Sequence, residues 1–521
     1  MLFMPSELTQ GFIKKISEIR VAPVRRRNDE VHFDVNQIIV KATNFYEKIR
    51  YFVDYKEEHT IHRSAVERIL KRKINIEQKT AVGLSLVKEL VSGQYVPQSS
   101  MTEEVVSAVD KTVAKFLRLR ELAGSSATNK RLLSLAASEV DRYLDMYNYR
   151  LDETVVGLFY DRVRRSIEVD KFLSESVLDL QISAACHRNL LGFDDEMLSY
   201  TVWKILVPNW ESASDEDVQS IAKRLPSILK EVEAVVKSPV QWQIARRLKN
   251  ETVYFSIIRE LVHQYGAESG QILLNQGLLD AYVKSFLEKK YEKENTRIKK
   301  SGIRAVIYLF FTKVILALLI ELPYERLFLT TVNYVPLAVN ILFPPVLLFV
   351  FTRQIKTLGK ANTDAIIAGI HDVISEEHFR KIKVSITTLY STLNLIFTFI
   401  YLLFIVAIFG GIISVLRSAD FNIVSITFFL LFLTLVSYFI FRIRFNAKQW
   451  NVVKDEKALA TLGGIIVLPI VNAGQWMSQS FSSVNMVVFL LDFVIETPFK
   501  FILHFSNAFI TYMKERVEEI R

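Results

Sequence analysis

The chain has 521 residues, a formal net charge of +9 and hydrophobic side chains at half of its positions. Its only cysteine, Cys186, excludes an intramolecular disulfide and a metal cage built from several thiolates. Glycine and proline are scarce, at 17 and 12 residues, which favours helices over a turn-rich β architecture. Because charge concentrates toward the N-terminus and apolar residues toward the C-terminus, we predict an all-α protein with a large soluble helical domain (1–300) and a multi-pass membrane domain (301–521).

The first twenty residues do not resemble a secretory signal, because charged residues such as Glu7 and Lys14 interrupt their apolar positions. Leu8, Phe12 and Ile16 instead share one face of a helix. We expect this helix to dock against the domain that follows it; the alternative is a helix on the membrane surface.

Helical periodicity then repeats through the N-terminal domain without a fixed-period repeat, which predicts an irregular helical domain. Asp194 or Asp195 and the pair Ser214-Asp215 are suited to cap helices. The predicted helices are 106–117, 133–147, 155–167, 177–191, 218–236, 252–263 and 272–287.

Several residue combinations in this domain were considered as chemical sites. His59 and His62 lie three apart next to carboxylates, but cationic neighbours oppose a bound metal ion. Cys186 and His187 are adjacent on a predicted helix and point about 100° apart, so we expect Cys186 in the core. No phosphate-binding, hydrolase or zinc-protease motif occurs in the sequence. We therefore predict no catalytic residue, no cofactor and no metal, and we do not expect an enzyme.

A cluster of cations precedes the first apolar segment and is interleaved with glutamates. Cations beside a membrane are attracted to anionic headgroups by about 1 kcal/mol each, so membrane lipids are predicted partners. No nucleic-acid-binding motif accompanies the basic charge, and we expect no nucleic-acid partner. The predicted lipid-contact residues are Lys289, Lys290, Lys293, Arg297, Lys299, Lys300 and Arg304.

Four segments are long and apolar enough to cross a bilayer, which takes about 20 residues of helix. Only four residues separate the last two segments, so they form a helical hairpin. Two later segments leave alternatives open: 459–475 is a fifth crossing or a re-entrant segment, and 486–505 is an interfacial helix or a sixth crossing. The prediction is therefore four to six spans. The four predicted spans are 303–322, 334–351, 389–416 and 421–441.

Positive charge is distributed unequally between the predicted loops. The segment 353–383 and the segment after Phe441 are rich in lysine and arginine, whereas the two opposite turns contain only Arg326 and Arg417. By the positive-inside rule, the N-terminal domain is predicted to be cytoplasmic and the protein to lie in the cell (plasma or inner) membrane. An amphipathic helix at 364–374 is predicted to lie on the membrane or on the cytosolic domain.

Charged residues within the apolar segments are candidate functional groups, because burying a cation in a bilayer costs at least about 2.5 kcal/mol. Lys313 lies inside the first predicted span and Glu321 two turns later. Asp492, Glu496 and Lys500 recur every four residues in the last apolar segment. These groups indicate either a transport pathway or ion pairs that hold helices together.

Two functions follow from these observations. The first is an integral membrane protein whose cytosolic helical domain acts as a scaffold or organiser, binding a protein partner, another copy of the chain or the membrane surface. The second is a transporter or channel that uses Lys313 together with Asp492 or Glu496.

Overall fold

The computed structural model describes residues 5–19, 58–75, 82–93, 95–97, 101–123, 126–170, 174–328, 333–353, 359–376, 381–384, 391–447, 449–453 and 467–478. These residues are almost all helical, which confirms the predicted all-α class. The chain divides into two compact units. The first unit consists of Met1–Asp280, Ala368–Ile386 and Leu503–Arg521, and the second of Ala281–Ile367 and Thr387–Ile502.

The first unit is built from helices of moderate length. Its helices are α1 (Glu7–Glu18), α2 (Glu58–Asn75), α3 (Gly83–Ser92), α4 (Glu103–Ala123), α5 (Ser126–Leu144), α6 (Met146–Ser166), α7 (Glu175–Leu191), α8 (Asp195–Leu206), α9 (Asp215–Val236), α10 (Pro239–Arg247), α11 (Lys249–Tyr265) and α12 (Ser269–Leu274).

Local sequence explains where two of these helices begin. The Asp194 side chain accepts a hydrogen bond from Met197 N and caps α8, as predicted. The Ser214 hydroxyl accepts from Asp217 N, and the Asp217 carboxylate accepts from Ser214 N. This reciprocal capping box satisfies two amide groups that the first turn of α9 leaves without helical partners.

Aromatic side chains form the centre of the first unit. Trp203 and Trp210 are fully buried with ring centroids 5.3 Å apart, and Phe116 lies 4.8 Å from Trp210. Phe159 and Phe255 stack at 4.4 Å. Cys186 is fully buried, as expected for a core residue, and burial raises the pKa of its thiol.

The N-terminal helix α1 docks on the first unit, which confirms the first of its two interpretations. Phe12 and Ile16 are buried, and Ser6 N and Thr9 Oγ1 both donate to the carbonyl oxygen of Ile374, at 2.9 Å each. Ile374 ends an amphipathic helix that is more than 350 residues away in sequence, α16 (Lys360–Ser375).

The segment 368–386, which contains the second half of α16, is thus part of the first unit. Its strand β2 (Ile382–Val384) pairs in parallel with β1 (Ile167–Val169). The Arg162 guanidinium donates to Asp372 at 2.7 Å, and His371 bonds Asp280 at 2.6 Å. The predicted helix at 364–374 therefore packs on the helical domain with its apolar face buried.

The second unit contains the apolar helices. The boundaries between the units fall inside α13 and inside α16. The elements of this part are α13 (Gln276–Leu316), a π turn (Ala317–Glu321), α14 (Leu322–Phe328), α15 (Tyr334–Arg353), the first half of α16, α17 (Ser391–Ser418), α18 (Ile423–Ala447) and a helix over 467–478.

Three of the described helices are long and apolar enough to cross a membrane: Tyr334–Arg353, Leu395–Ser418 and Ile423–Phe445. They match the second, third and fourth predicted spans within a few residues. The first predicted span, 303–322, is helical to Leu316 and continues through the π turn. Of the two later segments, 467–478 is helical, whereas 486–505 lies outside the described residues. The structure thus supports association with a membrane through at least these three helices.

Candidate functional site

A cluster of buried polar side chains lies among the apolar helices of the second unit. Lys313, Glu321, Asn340 and Ser425 are each at most 1% exposed. They come from the end of α13, the π turn, α15 and α18 respectively. Polar groups inside a membrane protein are costly unless they bond to each other, so this cluster is the first candidate for a functional site.

The π turn aligns Lys313 with Glu321. On a regular α-helix, residues eight apart differ by about 80° around the axis, and the wider π turn reduces this offset. Leu322 N donates to Ala317 O, five residues back. The next residue, Pro323, has no amide hydrogen, and its ring would clash with the carbonyl four residues earlier in an α-helix. Proline thus accounts locally for the irregular turn.

Lys313 and Glu321 form an ion pair, as their Nζ and Oε1 atoms lie 3.8 Å apart. This separation is too long for a direct hydrogen bond. The Lys313 ammonium also lies over two aromatic rings of α18, with its Nζ 4.3 Å from the centroid of Phe432 and 5.4 Å from that of Phe428. Cation–π contacts of this kind are strongest where water is excluded.

Glu321 is held from the opposite side by polar groups of α15 and α18. Asn340 Nδ2 donates to Glu321 Oε2 at 3.0 Å and to the Ser425 carbonyl at 3.0 Å, and Ser425 Oγ lies 3.5 Å from the same carboxylate oxygen. Within the described part of the chain, Lys313 Nζ, Glu321 Oε1 and Asn340 Oδ1 make no hydrogen bond. The charges of Lys313 and Glu321 therefore cancel, but these three polar atoms of the cluster lack a hydrogen bond among the described residues.

A second buried carboxylate lies one turn further along the chain. Glu325 in α14 is 1% exposed. It accepts a hydrogen bond from Asn422 Nδ2 at 2.7 Å and one from Asn333 N at 3.3 Å. This carboxylate connects α14 to the start of α18, so both glutamates join helices of the second unit.

The structure describes some of the predicted site residues and not others. It brings together Lys313 and Glu321, whereas Asp492, Glu496 and Lys500 lie outside the described residues. Sequence reasoning missed Glu325, Asn340 and Ser425, although an asparagine inside an apolar segment such as Asn340 was an available signal.

The predicted lipid contacts lie on α13. Lys289, Lys293 and Lys300 are exposed there, while Lys290 Nζ lies 5.0 Å from the ring of Trp450. Arg297, Lys299 and Arg304 belong to the same helix, and their side chains are outside the described set. Contact of these seven residues with lipid stays a prediction.

Two histidines of the helical unit contact carboxylates. His187 Nε2 lies 3.2 Å from Glu153, and His371 bonds Asp280. Among the described residues, no group of three or more histidine, cysteine, aspartate and glutamate side chains is arranged to hold a metal ion.

Comparisons with known proteins add no functional assignment. No family model, no curated protein and no solved structure matches this chain.

Proposed function

We propose that this protein is a membrane-anchored scaffold or organiser whose helical unit binds a protein partner at the cytoplasmic face. The supporting observation is the enclosure of Lys313: its ammonium is fully buried between Glu321 and two phenylalanine rings. Through the Phe432 ring of α18 and the Asn340 amide of α15, this enclosed pair joins three helices, as an anchor requires. A transport site, in contrast, must be reached by water or solute.

The three apolar helices support a multi-pass anchor, and we propose α13 with the π turn as a fourth span. Its charges Lys313 and Glu321 neutralise each other, which lowers the cost of burying them in lipid. The charge distribution of the loops supports a cytoplasmic position for the helical unit, in the cell membrane.

Thiol labelling tests the enclosure. Cys186 is first replaced by serine in the full-length protein, and single cysteines are then introduced as K313C and, as a control on the same helix, K289C. We expect a membrane-impermeant maleimide to label position 289 and to leave position 313 unlabelled from both sides. Labelling at 313 in a folded, inserted protein would reject the anchor in favour of a wet pathway.

Partner binding is tested in native membranes by placing a photo-crosslinking amino acid at exposed positions of the helical unit. Trp242 is 49% exposed and stacks on Arg188, with the guanidinium carbon 4.1 Å from its ring centroid. Tryptophan and arginine dominate many binding surfaces. We expect one crosslinked protein of constant mass from position 242 and none from exposed Lys237, which follows the last residue of α9. Equal crosslinking to many proteins from both positions would contradict a specific partner.

Transport is the second candidate function. It is favoured by the unbonded polar atoms of Lys313, Glu321 and Asn340 next to a π turn, since π turns recur at functional sites. The test is ion and solute flux in liposomes containing the purified protein. Flux that disappears in K313M but persists in K289M would support transport, and absence of flux supports the anchor.

A further inference from the structure

The helical unit contains a partly open cavity of about 490 Å³ whose described lining comes from α2, α5, α6, α7, α8 and α11 and from segments between helices. Sites for small molecules typically have volumes of roughly 300–1,000 Å³. The cavity belongs entirely to the first unit, and it is separate from the polar cluster of the membrane helices.

Most charged groups on the cavity wall already have a partner of opposite charge. Arg259 donates to both carboxylate oxygens of Asp152, at 2.5 and 2.8 Å, and His263 Nε2 lies 2.6 Å from Asp152 Oδ1. Burial alone would raise the pKa of Asp152, but these bonds lower it. Arg142 pairs with Glu211. These groups therefore contribute little net charge to the cavity.

Asp141 is the exception. Within the described part of the chain, it has no hydrogen bond or ion pair, although it lines the cavity. Arg63 is the arginine whose charge acts on Asp141, but its guanidinium already pairs with Glu67 at 2.7 Å and with Asp194 at 3.4 Å. Among the described residues, the side chain of Asp145, four residues further along the same wall, accepts a hydrogen bond from the neutral amide of Asn148 alone. The potential in this part of the cavity is therefore negative, which favours a cationic ligand.

A second observation indicates which chemical group a ligand would carry at its other end. Tyr200 lines the same cavity, is 4% exposed, and has a hydroxyl group without a hydrogen-bond partner among the described residues. Arg142 is 6% exposed, and its Nε is likewise unbonded. Buried donors without acceptors are unfavourable, so a ligand oxygen that accepts from one of them gains affinity.

We propose that this cavity binds a small organic ammonium compound that also carries an oxygen acceptor. The carboxylate of Asp141 is the counter-ion for the ammonium group, and the Tyr200 hydroxyl donates to the oxygen. The side chains of Tyr95 and Tyr149 also line the cavity, and their rings suit the methylene groups of such a ligand.

The probe is 5-aminopentanol, titrated calorimetrically at about pH 8, where Asp141 is ionised, into the full-length protein in detergent micelles. Two matched compounds test its groups: 1,5-pentanediol lacks the charge, and 5-hydroxypentanoate reverses it. We expect the amine to bind, the diol to bind about tenfold more weakly or less, and the carboxylate to give no binding, because a charge-assisted bond to Asp141 is lost. Binding of the diol as tight as that of the amine would overturn the proposal, as would absence of binding by the amine.

Variants assign the two contacts. D141N removes the charge at nearly constant volume and is expected to weaken 5-aminopentanol binding about tenfold, whereas E231Q, at an exposed site on α9, leaves binding unchanged. Y200F is expected to weaken 5-aminopentanol severalfold and to leave pentylamine, which lacks the hydroxyl, unchanged. Thermal unfolding verifies that each variant is folded. Equal affinity of D141N and the parent protein would reject Asp141 as the counter-ion.

Discussion

Lys313 illustrates how one charged residue is accommodated in an apolar environment. Its ammonium gains attraction from Glu321 and from two aromatic faces, and these contacts offset the free energy of removing it from water. Removing one partner of such a pair leaves the other charge buried and uncompensated, which is more unfavourable than removing both.

We predict that K313M destabilises the membrane unit by about 3–5 kcal/mol, the range for breaking a buried pair. K313M/E321L, which removes both charges, is expected to recover most of this loss. The measurement is the free energy of unfolding in mixed micelles, with exposed K289M as a control that changes it by less than about 0.5 kcal/mol. A double variant as unstable as K313M would show that the charges do not act as a pair.

Asp141 shows a different response to burial. Burial raises the pKa of its carboxyl from 3.8 to about 7, assisted by the negative charges of Asp145 and Asp194 and opposed by Arg63. The folded protein therefore holds this proton more tightly than the unfolded chain does. Its contribution to stability is present below pH 3.8 and is lost as the pH rises through about 7.

We predict that D141N, which cannot ionise, loses less stability than the parent protein as the pH rises from 4 to 8. The midpoint temperature of unfolding, measured at half-unit pH intervals, should show a difference in favour of D141N that grows through about pH 7. Parallel curves for the two proteins would contradict a raised pKa. E231Q serves as the matched control for loss of a surface charge.

At the scale of elements, helix starts fall into two groups. The capping box of α9 lies within four consecutive residues, Ser214 to Asp217, so the sequence is enough to predict a cap there. The start of α3 is capped from another helix. Asp110 of α4 accepts hydrogen bonds from Val82 N at 2.9 Å and from Gly83 N at 2.6 Å.

The close approach of α3 to α4 also requires a glycine. A Cβ atom at Gly83 would lie 2.6 Å from the carbonyl oxygen of Val106 and 2.8 Å from Asp110 Oδ2. A Cβ atom essentially never lies this close to a backbone oxygen, so the backbone would have to move.

We predict that D110A destabilises the helical unit by about 1 kcal/mol or more through loss of this cap, and that D110N, which keeps an acceptor oxygen, costs less. S214A provides the comparison for a local cap of about 1 kcal/mol. Urea denaturation followed by tryptophan fluorescence measures all three, because Trp203 and Trp210 are buried in the same unit. Equal losses in D110A and D110N would show that the acceptor oxygen is not the stabilising group.

At the scale of the whole molecule, the proposed topology makes a prediction about sidedness. The positive-inside rule assigns Lys289 and the turn at Ala419 to opposite faces of the membrane. Both residues are exposed, and Ala419 lies in the turn between α17 and α18.

In a C186S background, we expect an impermeant maleimide to label A419C in intact cells and to label K289C only after the membrane is opened. Labelling in the reverse order would invert the proposed orientation, and labelling of both in intact cells would contradict an odd number of membrane crossings between the two positions. The C186S protein without an introduced cysteine is the control for background labelling, because Cys186 is the only cysteine of the sequence.

The sequence by itself determined the helical class, the three apolar helices and the presence of caps at Asp194 or Asp195 and at Ser214-Asp215. These features depend on local properties: a run of about 20 apolar residues suffices to identify a span, and a cap is formed by residues within one turn. It also drew attention to Lys313 and Glu321, because a charge in an apolar run is unusual wherever it occurs.

Only the tertiary structure decided which groups meet. The contact of Ser6 and Thr9 with Ile374, the pairing of β1 with β2, and the placement of Asn340 and Ser425 around Glu321 join residues from distant parts of the chain. The same holds for the cavity at Asp141. Periodicity specifies which face of a helix is apolar, but not which other helix covers that face, because many partners bury the same area with similar free energy.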